Sequence, residues 1–293
     1  MEIYSFNELS EAQKRNIYQF TTSFEYTGGF GSCDEMAAFY GGTAFDGGCS
    51  HFSLWEDGRP VGTLGVVAKE AALRGEIFMT GIGLKEPDAG KLSSLLDRAF
   101  AYCSEIKNVR YKLGLNHDRY YLMPAVKENG FKEVYRYLEM NYSGGAVTLP
   151  PEEEKCFKLL SSENIKDFQR VHNEAFLLAP NGAAIDEAEL PQYLEEYGTN
   201  GLAGIYYDAG IAAGVYILKQ PGDHGYIDGI GVAPEFHGRG IGKSLLFKSI
   251  KALQDAGAAK IGLSVFDSNK RALEMYLKNG FETEKEHSVW FEK

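Results

Sequence analysis

The residue types best suited to chemistry lie in a glycine-rich segment, residues 237–244, with the sequence HGRGIGKS. A strand-like run precedes this segment, and apolar residues at helical spacing follow it. The first backbone N–H groups of a helix have no partner within the helix and lie at the positive end of its dipole. Three glycines allow close approach to the backbone, and Arg239 and Lys243 add positive charge. The segment therefore predicts a site for the phosphate groups of a ligand.

Two other phosphate-binding patterns fit this segment incompletely. The dinucleotide-binding pattern GxGxxG requires a glycine where this chain has Lys243. The nucleotide-binding pattern GxxxxGK[ST] matches at residues 242–244, but His237 stands at its first glycine, and Asp267 would have to supply the acidic magnesium ligand. Pro234 in the approach to the loop, and the few strands that could follow Asp267, count against this pattern. A nucleotide-binding protein remains an alternative.

The segment resembles the acyl-CoA pyrophosphate loop, Q/R-x-x-G-x-G/A, of the GCN5-related N-acetyltransferase (GNAT) family, with His237 in place of Gln or Arg. Residues 263–281 are similar to the strand, Asn-x-x-Ala helix start, tyrosine and terminal Gly-Phe of the same family. The resemblance implies transfer of an acyl group from acetyl-CoA to a primary amine of a small molecule or peptide. The implied cofactor contacts are Ile230, Val232, His237, Gly238, Arg239, Gly240, Ile241, Gly242, Lys243, Ser244 and Asn269.

The resemblance also implies that Tyr276 is the general acid, which protonates the leaving thiolate. Asn269 and Tyr276 are seven residues apart, so two helical turns place their side chains on one face. A phenol, whose ordinary pKa is about 10, is a plausible proton donor for a thiolate. Both residues have a structural alternative, Tyr276 as core packing and Asn269 as a helix N-cap.

Asp228 is the candidate general base. It lies in the strand-like run 226–232, and the two-residue period of a strand places it on the same face as Val232. In the family, an acidic residue on the corresponding strand often takes the proton of the amine, directly or through water. Asp228 could instead order the strand or contact the substrate, and His224 and Tyr226 are further alternatives for the base.

The chain contains an internal repeat. Residues 78–84 match residues 226–232 at an offset of 148, and residues 128–131 match residues 278–281 at an offset of 150. The difference of two residues places a deletion in the first copy between the two matches. Such a repeat predicts two domains of the same architecture.

The first copy lacks the chemistry of the second. It has one glycine, Gly90, where the second copy has three, and Thr80 stands at the position of Asp228. Val126 stands at the position of Tyr276. We therefore predict a degenerate N-terminal GNAT-like domain without its own cofactor site, followed by an active one.

The apolar periodicities and the resemblance together predict an α/β (α+β) fold. It consists of two tandem GNAT-like domains, each with a mixed, mostly antiparallel sheet flanked by helices. The degenerate domain spans residues 1–143, a linker rich in glycine, proline and glutamate spans 144–154, and the catalytic domain spans 155–293. Helices are predicted at 10–24, 90–106, 120–129, 162–176, 240–255 and 269–279, and strands at 51–56, 60–68, 76–84, 110–115, 131–142, 202–207, 211–219, 225–232, 260–265 and 281–291.

Composition limits the remaining function classes. The 293 residues, 44% of them hydrophobic, suffice for two cores, and the net charge of -11 argues against nucleic acid as a partner. The four cysteines form no CxxC and the six histidines no HExxH, so no metal site is predicted. Neither a membrane-spanning run nor a basic leader is found, which predicts a cytoplasmic location. We expect a monomer or homodimer that contacts neither nucleic acid nor membrane. A non-catalytic CoA-binding protein remains an alternative function.

Overall fold

The computed structural model describes residues 1–24, 30–177, 179, 180, 182, 184–198, 201–220 and 222–293. These residues form two compact units. The first unit contains Met1–Tyr137 and Glu286–Lys293, and the second contains Leu138–Lys285. The units divide the chain after residue 137 and again after residue 285, and the linker at 144–154 stays a prediction.

Strands and short helices alternate in the N-terminal part of the chain. The strands are β1 (Glu2–Ser5), β2 (His51–Glu56), β3 (Arg59–Val67), β4 (Glu76–Leu84), β5 (Arg110–Asn116) and β6 (Lys132–Tyr142). The helices are α1 (Glu11–Thr21), α2 (Cys33–Tyr40), α3 (Ala71–Arg74), α4 (Ala89–Tyr102) and α5 (Met123–Glu128).

The C-terminal part of the chain has a similar order of elements. The helices are α6 (Pro151–Glu154), α7 (Ile165–Phe176), α8 (Leu190–Tyr197), α9 (Ile241–Asp255) and α10 (Lys270–Lys278). The strands are β7 (Phe157–Leu159), β8 (Ala203–Asp208), β9 (Ile211–Lys219), β10 (His224–Val232), β11 (Lys260–Phe266) and β12 (Phe281–Glu292).

The sheet of the first unit has the strand order β1-β2-β3-β4-β5-β12. The pair β4 and β5 is parallel, and the other neighbours are antiparallel. The end of β12 pairs with β5, with Val289 opposite Leu115, and Val289 and Phe291 are fully buried in the core of this unit. The last residues of the chain thus complete the first sheet.

The sheet of the second unit has the strand order β6-β11-β10-β9-β8-β7. Strands β7 to β10 are antiparallel neighbours, and β10 and β11 are parallel. Helix α9 packs on β9 and β10 through apolar residues at helical spacing. Its buried apolar residues are Ile241, Leu245, Leu246, Ile250 and Leu253. The predicted fold of mixed, mostly antiparallel sheets flanked by helices is confirmed.

Strands β10 and β11 diverge at their carboxyl-terminal ends. They pair over four residues, from His224 opposite Lys260 to Ile227 opposite Leu263, whereas β10 continues to Val232. A β-bulge at Asp228 interrupts the pairing of β10 with β9 and bends the strand at this point. Because the described pairing ends there, the end of β10 borders a cleft into which a ligand can extend.

The sequence prediction placed most elements within a few residues of their observed limits. Strands β2, β4 and β9 coincide with the predicted ranges. Strand β1, strand β7 and helix α2 were not predicted, because they are short and carry no clear periodicity. Within the described part of the chain, no helix is long and apolar enough to cross a membrane.

Candidate functional site

A cavity of about 390 Å³ lies in the second unit beside the end of β10. This volume falls within the range of small-molecule sites. Its walls come from the ends of α7 and β10, the loop before α9, and the first turns of α9 and α10. The lining residues are Ala175, Phe176, Ala179, Ile230, Gly231, Val232, Phe236, His237, Gly238, Gly240, Ile241, Gly242, Lys243, Asn269, Arg271, Ala272, Met275 and Tyr276.

The loop before α9 depends on two glycines in the left-handed region. Gly238 has φ of 85° and Gly240 has φ of 83°, a conformation that strains any residue with a Cβ atom. Around both positions, a Cβ atom would meet no other atom within 4 Å. The glycines are therefore required by backbone conformation, and they leave the loop open on the side of the cavity.

The N-terminus of α9 presents backbone donors. Its N-cap, Gly240, provides no side-chain acceptor. The N–H groups of Lys243 and Ser244 donate to the carbonyl oxygen of Gly240, with N···O distances of 2.9 and 3.2 Å. The N–H groups of Ile241 and Gly242 precede these and have no acceptor within the helix. This arrangement fits an anion at the positive end of the helix dipole.

The cationic side chains near this loop differ in whether they line the cavity. Lys243 lines the cavity, and its Nζ atom lies 5.2 Å from the centroid of the Phe247 ring. Arg239 does not line the cavity, because its guanidinium group pairs with Asp208 at 2.8 Å. Arg271 is exposed and lines the cavity. Arg271 was not among the predicted site residues. Its position two residues after Asn269, at the start of a helix, could have indicated a cation beside a bound anion.

His237 ties the loop to the end of β10. Its Nε2 atom lies 2.9 Å from the carbonyl oxygen of Val232, so Nε2 carries the proton and donates this hydrogen bond. The ring also lines the cavity. The histidine thus holds the loop and strand end together on the wall of the cavity.

Asn269 and Tyr276 meet in the same cavity, on one face of α10. The Oδ1 atom of Asn269 accepts the N–H group of Ala272 at 3.2 Å, so this residue is the N-cap of the helix. The Tyr276 side chain is buried, with its ring centroid 5.9 Å from that of Phe281. Asn269 is thus an N-cap and Tyr276 packs in the core, as the structural alternatives predicted. Both residues also line the cavity.

Asp228 lies outside the lining of the cavity, at the bulge of β10. Its Oδ2 atom is 3.0 Å from Nζ of Lys219, and both side chains are partly exposed. Burial raises the pKa of Tyr193 and of Tyr197 on α8, and the charge of Asp228 adds to this rise. The negative charge of Asp228 therefore acts on α8. The alternative base Tyr226 is engaged by the Ser264 hydroxyl.

The structure brings most of the predicted site residues together. Three of them, Asp228, Arg239 and Ser244, do not line the cavity. The predicted residues that line it are Ile230, Val232, His237, Gly238, Gly240, Ile241, Gly242, Lys243, Asn269 and Tyr276.

Comparison with known proteins agrees with this geometry. Residues 165–281, which contain the cavity walls, match the Acetyltransferase (GNAT) family. Residues 165–281 are thus a GNAT acetyltransferase domain. Residues 138–164 and 282–285 of the second unit lie outside this match.

Curated relatives of this chain are similar over limited stretches. Thialysine N-epsilon-acetyltransferase of Bos taurus is 35% identical over 65 residues, which cover 22% of this chain and 38% of that protein. Mycothiol acetyltransferase of Propionibacterium freudenreichii is 27% identical over 166 residues, which cover 52% of each protein. The chain therefore spans about half, or less, of the length of these relatives.

A solved structure is similar over the whole chain. A GCN5-related N-acetyltransferase from Sphaerobacter thermophilus superposes with a TM-score of 0.66 at 16% identity, covering 100% of this chain and 95% of that one. At this identity the likeness shows the fold. The antiparallel majority of the GNAT sheet also argues against the nucleotide-binding alternative, whose P-loop follows a strand of a parallel sheet.

The first unit of the chain carries a different helix start at the corresponding place. The N-cap of α4 is Asp88, and its Oδ1 atom accepts the N–H groups of Gly90 and Lys91, both at 2.9 Å. The Lys91 ammonium in turn pairs with Glu56 at 2.7 Å. A carboxylate of the chain thus occupies the position of an anion at this helix end.

Metal binding was not expected from the sequence. Over the described ranges, no group of three or more His, Cys, Asp or Glu residues is arranged to hold a metal ion. The cysteines within these ranges are free thiols.

Proposed function

We propose that this GNAT protein transfers an acetyl group from acetyl-CoA to a primary amine of a small molecule or peptide by direct attack. The strongest support is that one cavity is lined both by a group that can bind phosphate and by a group that can donate a proton. The uncapped N-terminus of α9 can bind a pyrophosphate, and Tyr276 of α10 can donate a proton.

The residues of the cavity fit the parts of an acyl-CoA molecule. The N–H groups of residues 238–242 and the charges of Lys243 and Arg271 would hold the pyrophosphate. The backbone of Ile230 and Val232, at the open end of β10, would pair with the amides of the pantetheine arm. Asn269 would contact the same arm, and Ser244 and Arg239 would contribute from the rim of the loop.

The reaction requires two proton transfers by this chain. The amine nitrogen forms a bond to the acyl carbon, and the bond from that carbon to sulfur breaks. Asp228, directly or through water, would accept the proton that the nitrogen loses. Tyr276 would donate its phenolic proton to the departing sulfur, which leaves as the thiol of CoA.

An amine acceptor agrees with the charge of the protein. Amines are cationic at neutral pH, and a net charge of -11 attracts cations. The name of the bovine relative refers to acetylation at an N-epsilon amine, which supports the same acceptor class. We expect the protein to act in the cytoplasm as a monomer or homodimer.

We further propose that the first unit does not bind acetyl-CoA. Asp88 satisfies the N–H groups at the start of α4, and its negative charge would repel a pyrophosphate. Calorimetry should therefore give one acetyl-CoA per chain. A stoichiometry of two would contradict this part of the proposal.

The decisive experiment is a screen of amine acceptors that measures release of free CoA, run on the wild type and on Tyr276→Phe. We expect at least one acceptor to release CoA, and kcat to fall about 100-fold in the variant, because general acid catalysis is lost. The dissociation constant of acetyl-CoA should stay within about twofold. Tyr142→Phe, at a tyrosine outside the cavity whose hydroxyl donates to the Gly145 carbonyl, is the matched control.

Two other outcomes would contradict this proposal, and each would favour a different function. Binding of ATP with magnesium, without binding of acetyl-CoA, would indicate a nucleotide-binding protein. Binding of acetyl-CoA without release of CoA across the panel, and without an effect of Tyr276→Phe, would indicate a non-catalytic CoA-binding protein.

A further inference from the structure

The end of α7 packs directly on the backbone of β10. A Cβ atom at Gly231 would lie 2.8 Å from Cβ of Ala175 and 2.9 Å from Cε2 of Phe176. A Cβ atom at Gly229 would lie 3.5 Å from Cζ of Phe176. The two glycines therefore leave the space that the Phe176 ring fills, and the ring covers β10 from the bulge to the cavity.

Contacts at the end of α7 position the Phe176 ring. The His172 ring, one helical turn earlier on α7, has its centroid 4.7 Å from that of Phe176. Burial lowers the pKa of His172, so this imidazole is neutral and packs as an aromatic ring. The carbonyl oxygen of Phe176 accepts the N–H group of Ala179 at 3.1 Å. The Phe176 ring is thus packed against both His172 and β10.

The cavity lining combines polar and apolar groups. The glycines and Lys243 at the start of α9 form its polar end. Phe176 and Ala175 form an apolar wall against Gly231 of β10. A donor whose pyrophosphate lies at the polar end, and whose pantetheine arm pairs with Ile230 and Val232, would bring its acyl group to this wall.

We infer that Phe176 limits the length of the acyl chain that the site accepts, and thereby selects acetyl-CoA over donors with longer chains. The inference rests on the proposed function and adds to it a residue that selects the donor. Longer aliphatic chains would need the volume that the ring occupies. The ring has little room to move toward β10, because a Cβ atom at Gly231 would already lie 2.9 Å from it.

The test compares binding of CoA, acetyl-CoA and butyryl-CoA to the wild type, Phe176→Ala and Phe176→Leu by calorimetry. We expect the wild type to bind acetyl-CoA more tightly than butyryl-CoA. Phe176→Ala should shift this preference about tenfold toward butyryl-CoA, since two additional methylenes become buried. Phe176→Leu should shift it less, and affinity for CoA itself should change little in either variant.

Phe236→Leu serves as the control, because this ring lines the polar end of the cavity, 5.0 Å from the Arg239 guanidinium carbon. It should change the affinity for all three compounds by a common factor. An unchanged preference in a folded Phe176→Ala or Phe176→Leu variant would overturn the inference while leaving the proposed function intact. Absence of binding of any CoA compound to the wild type would instead refute the proposed function. Thermal melts identify the folded variants, and Phe176→Leu decides if Phe176→Ala does not fold.

Discussion

Asp88 and Gly240 occupy equivalent positions, each the N-cap of the helix that follows the fourth strand of its half. Asp88 accepts the N–H groups of Gly90 and Lys91, whereas Gly240 has no side chain and leaves the start of α9 open. The N–H groups at the start of α4 are thus satisfied by a side chain of the protein, whereas those at the start of α9 are available to a ligand. This difference gives a physical basis for the proposal that a single half binds acetyl-CoA.

The two glycines at the start of α9 should respond differently to alanine. Gly240→Ala should lower the free energy of unfolding by about 1–2 kcal/mol, because its φ of 83° strains an L-residue. Gly242→Ala should change it little, since the new Cβ atom would lie 3.5 Å from the Met275 sulfur, an ordinary contact. Urea unfolding of both variants measures this difference. Equal losses would contradict the importance of the left-handed conformation.

Asp228→Asn should separate proton transfer from donor binding. We expect kcat/KM for the amine to fall at least about tenfold, because an amide cannot accept the proton. The dissociation constant of acetyl-CoA should not change, since Asp228 lies outside the cavity. Asp255→Asn, which alters the surface ion pair with Lys251, is the matched control. An unchanged kcat/KM would assign the proton to water or to another group.

Arg271 should matter more for donor binding than Arg239. Arg271→Ala should weaken acetyl-CoA binding about tenfold, because a charge-assisted hydrogen bond is worth roughly 1.5–3 kcal/mol. Arg239→Ala should weaken it about twofold or less, since Asp208 already pairs with this charge. Calorimetry at two salt concentrations gives both values. A larger loss for Arg239→Ala would mean that the ion pair with Asp208 opens when the donor binds.

His51 should make the first unit sensitive to acid. Its two ring nitrogens are buried and have no hydrogen-bond partner within the described residues, and Tyr40 stacks on it at 3.7 Å. Burial lowers its pKa to about 3, whereas the unfolded chain binds a proton near pH 6.5. The unfolded state therefore binds more protons below this pH, and the contribution of His51 to stability is lost as the pH falls from about 6.5 toward 3.

The expected slope is about 1.4 kcal/mol per pH unit for this one group. Urea unfolding of the wild type and His51→Leu at pH 7, 6 and 5 measures it. The variant should lose less stability between pH 6 and 5 than the wild type does. Parallel losses in both proteins would show that His51 does not titrate in this way.

The sequence predicted correctly those structural features that depend on residues close together in the chain. Alternation of apolar residues along β4 and β10 predicted both strands, and the glycine string of residues 237–244 predicted the loop, because these patterns act over a few neighbouring residues. The spacing of Asn269 and Tyr276 predicted that they share a helix face, and both line one cavity. Their roles in catalysis stay predictions.

Other features depended on contacts between distant residues. The pairing of Arg239 with Asp208 could not be predicted, since a sequence does not state which exposed charges meet. The place of Phe176 over Gly229 and Gly231 follows from the packing of α7 on β10, more than fifty residues later in the chain.

The sequence by itself determined the glycine-rich loop and the helix face that carries Asn269 and Tyr276. These depend on backbone conformation and helical period, which act between near neighbours. The tertiary structure alone decided that Phe176 packs over Gly229 and Gly231 beside the cavity, and that Asp228 pairs with Lys219 outside it. It also decided that residues 286–293 complete the sheet of the first unit. Each of these results depends on the packing of elements far apart in the chain, which no local pattern encodes.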